Sequence, residues 1–420
     1  MNNLVPKPLT CLLIFFIAII IVITAKMRVS AFYERETDDG FIDVRGMVRG
    51  YFSVIKNPET GIFSQDHISS GVAGLARLII KGETAKDLGF EVNASQSLIQ
   101  APLLSGRTST RRLPGVERSG IADESFSSRH YFHFSLDRLN VAYSYDRFDF
   151  TLGRQPINLA TTFYFSPNDF FAPFAAQTFY RVYKPGVDAL RVEVRIGDLS
   201  RLSLMSVLGY GTEAGSDTKW SDEPDLERTS CLGRLSAVFG DFEYGLLGGT
   251  VRDKKVIGLS AQGEVFKWLG VRAEGHYADP DSPLFDSWSE ICIGIEHRWQ
   301  NSLDLRFEYF HHGSGAKSVP GYGESPALVL GESIYSGREY CAFGAGYELT
   351  PLMNINITAI ENMTDNSKLV SFNAVYSLSD ESELSLSVGT PFGEETEGAL
   401  IKTEFGSNPD TLNIEFRCYF

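Results

Sequence analysis

The 420-residue sequence predicts an all-β fold, a transmembrane antiparallel barrel of about eighteen strands, on three observations. Segments of alternating apolar and polar residues recur from residue 41 to the C-terminus. The links between them also alternate, short and polar at one end, mostly long and acidic or Gly-rich at the other. Finally, the chain closes on "TLNIEFRCYF", a two-sided strand whose last residue is Phe420. A period of two puts every apolar side chain on one face of a strand. A soluble sheet edge can do that too, so the layout of the links carries more weight. Short turns on one rim and long loops on the other describe an outer-membrane barrel.

The first residues read differently. Lys7 precedes the apolar run "CLLIFFIAIIIVITA" (11–25), and small-residue sites follow at Ile23-Thr24-Ala25 and Val29-Ser30-Ala31. A positive start, a short apolar stretch and a small-x-small end make a signal peptide over residues 1–31, cut after Ala25 or Ala31. A retained membrane anchor is the alternative, favoured by Lys26 and Arg28. The run of about 15 residues is short against the ~20 that a spanning helix needs. Cys11 lies before the run, so it is no lipoprotein acceptor. Removing 1–31 takes away Lys7, Lys26 and Arg28 and no acid, which moves the formal charge from −15 to −18.

Residues 32–420 then form one barrel domain. Strands are read at 41–54, 70–81, 86–98, 129–146, 149–155, 187–196, 199–210, 230–239, 242–251 and 256–266. They continue at 271–279, 289–299, 303–312, 339–349, 353–361, 368–378, 383–390 and 410–420. In "DALRVEVRI", Leu190, Val192, Val194 and Ile196 alternate with Arg191, Glu193 and Arg195. In "SLDLRFEYF", Leu303, Leu305, Phe307 and Tyr309 alternate with Asp304, Arg306 and Glu308. An even number returns both termini to the periplasmic rim, and sixteen is the alternative count. Alternation slips within 129–146, where a bulge near Asp137–Asn140 would restore it. Trp268 and Trp299, both beside short turns, suit an interfacial girdle.

Composition agrees, with 43% apolar residues, 30 Phe, 18 Tyr and 39 Gly. No later stretch approaches ~18 consecutive apolar residues, so no second spanning helix is expected. An acidic chain argues against a nucleic-acid partner, because phosphate contacts need clustered Lys and Arg. Four cysteines remain, at 231, 292, 341 and 418, without metal-ligand spacing. No cofactor or metal is expected. No Gly-x-Ser-x-Gly or other nucleophile motif appears, so no catalytic residue is assigned and the chain is not read as an enzyme.

Two resemblances follow. The alternating last strand with its terminal Phe resembles the ending of bacterial outer-membrane barrels, which implies that Phe420 is read by the barrel-assembly machinery. Residues 138–192 carry Gly153–Gln155, then "PNDFFAPF" (167–174), then "PGVDALR" (185–191). This stretch resembles porin-type barrels of Gram-negative bacteria, those similar to alginate-export channels and related porins. It implies an outer-membrane location, with outer-membrane lipid and lipopolysaccharide around the barrel.

The loop 156–186 holds Phe163, Tyr164, Phe165, Phe170, Phe171, Phe174, Phe179 and Tyr180. So many aromatic rings need a surface to pack on. Folding inward, with Pro167, Asn168, Asp169, Phe170 and Phe171 in a constriction, would supply one. Packing over the outer rim or at a subunit interface is the other reading. Asn168 and Asp169, after Pro167, read as turn caps. Parity points Arg45, Arg49, Arg191, Glu193, Arg195, Arg272, Glu274, Arg306 and Glu308 into the lumen. Arg154 has outward parity, and only a bulge at Gly153 or a position above the membrane would make it line the pore beside Gln155. The expected function is passive diffusion of small hydrophilic solutes, with anions favoured by a locally basic constriction. The alternative is the barrel of an exopolysaccharide export or surface assembly complex. Monomer and trimer both remain open.

Overall fold

The computed structural model describes residues 33–38, 40–58, 67–84, 87–100, 122–127, 130–178, 181, 183–211, 223–397 and 400–420. The expected signal peptide, Phe179, Tyr180 and most of the acidic link 211–229 lie outside the described residues. Among the described residues twenty strands run in order. The first ten are β1 (Tyr33–Thr37), β2 (Gly40–Lys56), β3 (Ile68–Thr84), β4 (Leu88–Gln100), β5 (Ala122–Ser127), β6 (His130–Tyr145), β7 (Phe148–Gln155), β8 (Val187–Arg195), β9 (Ser200–Tyr210) and β10 (Pro224–Phe239). Then come β11 (Phe242–Val251), β12 (Lys254–Val265), β13 (Leu269–Pro280), β14 (Trp288–Arg298), β15 (Asp304–His312), β16 (Glu339–Thr350), β17 (Met353–Asn362), β18 (Ser367–Ser379), β19 (Ser382–Phe392) and β20 (Asp410–Tyr419).

Leaving aside the short β1 and β5, each strand pairs antiparallel with the next, and β20 pairs back onto β2. The result is a closed ring of 18 strands. Among the described residues each of the 18 ring strands has a partner on both sides, the condition for spanning a bilayer with strands, while β1 and β5 each pair on one side only. One rim carries only short turns, and both ends of the ring lie there. The opposite rim carries the long links, with two tight exceptions at Arg252–Asp253 and Met363–Asn366. Arg252 (φ 52°) and Asn366 (φ 60°) take the left-handed backbone that such tight hairpins need.

The slip of alternation in β6 is a register shift. Asn93 pairs with Arg138 but Ala94 pairs with Leu136, which leaves Asp137 as the extra residue. Above Leu139↔Arg154, β7 ends and frees the upper edge of β6, and β5 pairs there instead. Closure at the C-terminus is equally local. Phe420 exchanges backbone hydrogen bonds with Gly46, and its ring lies 2.2 Å from where a Cβ on that glycine would stand. A side chain at that position would have to displace the terminal aromatic.

Outward parity leaves large apolar side chains exposed around the wall, among them Leu204, Leu246, Leu259, Ile293, Phe307 and Phe343. This is a surface suited to lipid. At the turn rim His297 packs edge-on between Trp268 (5.2 Å) and Trp299 (4.2 Å).

Candidate permeation site

The chain leaves the wall at Gln155 and returns at Val187, and the described residues between them lie inside the barrel. Ile157, Leu159 and Phe171 pack on the inward residues Val187, Ala189, Met205, Val207, Leu232 and Leu247. Beyond them the backbone meets two inward carboxylates. Glu308 on β15 accepts N–H bonds from Phe163, from Tyr164 (2.7 Å) and from Phe165 (3.0 Å). Glu274 on β13 accepts from Thr161 (2.5 Å) and Asn168 (3.4 Å). Successive N–H groups converging on one anion form a nest, so buried charge and unsatisfied backbone donors satisfy each other. Both carboxylates are 2% exposed, so neither meets a solute in this arrangement.

Side chains complete the attachment. Asn168 donates to the Leu259 carbonyl (3.1 Å), and its Oδ1 lies 3.3 Å from His276 Nδ1. Asp169 forms a buried pair with Lys184. Burial pushes the Lys184 ammonium below its usual pKa while Asp169 acts in the opposite direction. Phe165 stacks on Phe310 at 4.9 Å. Phe163 lies between the guanidinium groups of Arg181 (4.8 Å) and Arg306 (4.0 Å), a double cation–π contact. A Cβ on Gly344 would stand 1.5 Å from the tyrosine oxygen, so any larger residue there would have to displace the Tyr164 ring.

Further links close over the same side. Glu404 accepts from Tyr340 Oη (2.5 Å) and Asn362 Nδ2 (2.7 Å). Arg338 donates to the Gly313 and Gly315 carbonyls, and Tyr322 Oη donates to Asp365. His311 and His312 fall on opposite faces, on Glu339 and Glu290 respectively.

On the turn side of the loop the wall of β8–β11 is open. A cavity of about 510 Å³ there is lined by Ile157, Leu159, Arg191, Glu193, Arg201 and Arg234, together with Arg195, Ser203 and Glu243. Glu193 is shared by Arg191 (3.8 Å), Arg201 (3.5 Å) and the Ser203 hydroxyl (3.1 Å). Arg195 faces Asp149 at 3.7 Å.

The other expected residues fall as follows. Arg49 and Arg306 face the lumen but hold carboxylates, Glu415 (2.6 Å) for the first and Asp304 (2.6 Å) with Glu296 (3.2 Å) for the second. Arg45, near the turn rim, is exposed and pairs with Asp43. Two assignments need correction. Arg154 does not line the lumen: Gly153 has a positive φ of 114°, yet the register runs on without a shift. Its side chain is buried beside the returning chain at Gly186 and pairs with Asp188 (3.4 Å). Gln155 is likewise withdrawn, donating to the carbonyls of Thr151 and Ala189. Asn168 and Asp169 hold the loop to the wall and to itself rather than facing solute. Sequence reasoning passed over Arg234, although the strand read at 230–239 gives it inward parity.

A closed barrel of this size, lipid-facing outside, charged inside and crossed by an inward loop, has the porin fold. Solved structures that it is similar to agree. Against Acinetobacter baumannii OccAB3 the TM-score is 0.57 at 10% identity, over 90% of this chain and 99% of that one. Against Pseudomonas aeruginosa OccK9 (OpdG) it is 0.57 at 12%, over 90% and 98%. Against a BenF-like porin from Pseudomonas fluorescens Pf-5 it is 0.55 at 10%, over 90% and 98%. No family model matches the sequence, and none of the curated proteins does.

Proposed function

We propose that the protein is an outer-membrane channel for passive diffusion of small hydrophilic solutes, with anions favoured. The observation that supports this reading is the inward loop, which packs on the wall and borders a charged cavity of about 510 Å³ on its turn side. A closed ring of strands with an apolar outer face belongs in a bilayer, with lipid and lipopolysaccharide around it. Phe420, seated on Gly46 at the closing seam, is the feature the barrel-assembly machinery would read. The likeness in fold to a structure named as a BenF-like porin points the same way.

A hydrolase reading finds no support in the cluster of Ser314, His312 and Glu290. Ser314 Oγ (3.4 Å) and Glu290 (2.7 Å) both approach the same ring nitrogen, Nδ1 of His312. That imidazole cannot relay a proton from one to the other, as a nucleophile–base–acid array requires. The interlocked links around Glu404 favour instead a barrel more filled than a general porin, as an export or assembly component would be. Planar-bilayer recording of the purified full chain separates the two. Stable ohmic steps support the channel, and their absence supports the filled barrel.

A further inference from the structure

The cavity on the turn side holds one charge that the arrangement leaves unused. Arg234 projects into it from β10. Neighbouring cations have partners: Arg191 and Arg201 share Glu193, and Arg195 faces Asp149. Among the described lumen-facing strand residues, Arg234 is the cation with neither a carboxylate nor a carbonyl partner. Of the three carboxylates in the same lining, Glu193 is engaged as above, Glu243 accepts from Gln262 (2.8 Å), and Asp198, in the turn between β8 and β9, forms no ion pair with Arg234.

Its setting is well defined. Arg234 sits directly across from Ser203 on β9 and Leu247 on β11. Diagonally placed Gly245 has no side chain, and Arg234 Nε and Nη2 lie 3.3 and 3.4 Å from where a Cβ there would stand. The guanidinium therefore lies over the bare backbone of Gly245, in a space that Ser260 Oγ also borders. Ser236, two residues along, lines the same cavity. A planar fork of N–H donors without a protein acceptor, beside serine hydroxyls in a partly enclosed space, matches an oxyanion.

We propose that Arg234 anchors a subsite for the oxyanion head, carboxylate or phosphate, of a small hydrophilic solute on the turn side of the inward loop. Its role in transport rests on the channel reading, but binding itself does not. The test therefore needs no conduction: broadening of succinate proton signals and of inorganic phosphate ³¹P signals by the detergent-solubilised full chain. Broadening of either is expected, succinate alone marking a carboxylate site and phosphate alone a phosphate site. Arg234→Ala should weaken it at least tenfold, and Arg191→Ala by less than threefold. Arg234→Lys, which keeps the charge and loses the fork, should recover only part. No broadening by the native chain, or equal broadening with Arg234→Ala, would overturn the subsite. Bilayer recordings of the same preparations judge the channel reading separately. Heat-modifiable migration on gels establishes that each variant is folded.

Discussion

Two stretches of lumen wall carry the same sequence pattern, inward charge alternating with outward apolar residues, and use it differently. On β13–β17, Glu274 and Glu308 are buried under the inward loop and bind its backbone N–H groups. On the turn side of β8–β11, Arg191, Glu193, Arg201 and Arg234 border an open cavity. In the first stretch charge is a structural fastener, and in the second it faces water. Parity places a residue inside the barrel, and what covers it decides its role.

The largest expected effect comes from putting the same charge into each stretch. Ala342 is inward, fully buried and directly across from Glu308. Ala342→Asp would place an unpaired charge there, at a cost of about 3–5 kcal/mol. Ser203→Asp, in the open cavity near Arg234, should change stability by less than about 1 kcal/mol. Urea titration followed by gel mobility compares them. Equal midpoints would break the distinction between the two walls.

Next is the fastener itself. Glu308→Ala leaves three N–H groups of the loop without their acceptor, a loss of about 3 kcal/mol or more. The barrel should still form, because its ladder does not depend on the loop. Conductance should rise and the current become noisier. An unchanged conductance would mean that the loop is held by its aromatic rings alone.

A smaller effect is expected at Gly344→Ala. The added methyl must displace Tyr164, which overpacking data place at about 1–3 kcal/mol. The loop should become more accessible to protease while gel mobility stays native. Protection equal to that of the native chain would show that the ring can move aside at no cost.

Much of the fold was legible because its signals are local. Alternation marked all eighteen wall strands, and the slip at Asp137 marked the bulge. The two short strands were not foreseen, since β5 exists only because β7 ends early and frees an edge of β6. The site was less legible. Inward parity of Glu274 and Glu308 could be read, but their bonding to residues over a hundred positions away could not. Arg154 keeps its outward parity and is covered by the chain returning through Gly186, while Gln155 turns back onto the Thr151 and Ala189 carbonyls, contacts that parity alone does not show. Arg234 needed only parity to be placed, and lacked any motif to single it out.

The contrast between the two walls can be tested within one recording. Cys292 is a native thiol on the covered wall, fully buried and 3.6 Å from Glu308. Ser203→Cys places a second thiol on the open wall. A charged methanethiosulfonate reagent, added during single-channel recording, should leave the native current unchanged. With Ser203→Cys the current should fall in steps. A native current that falls as Cys292 is modified, with no further response from Ser203→Cys, would contradict the account.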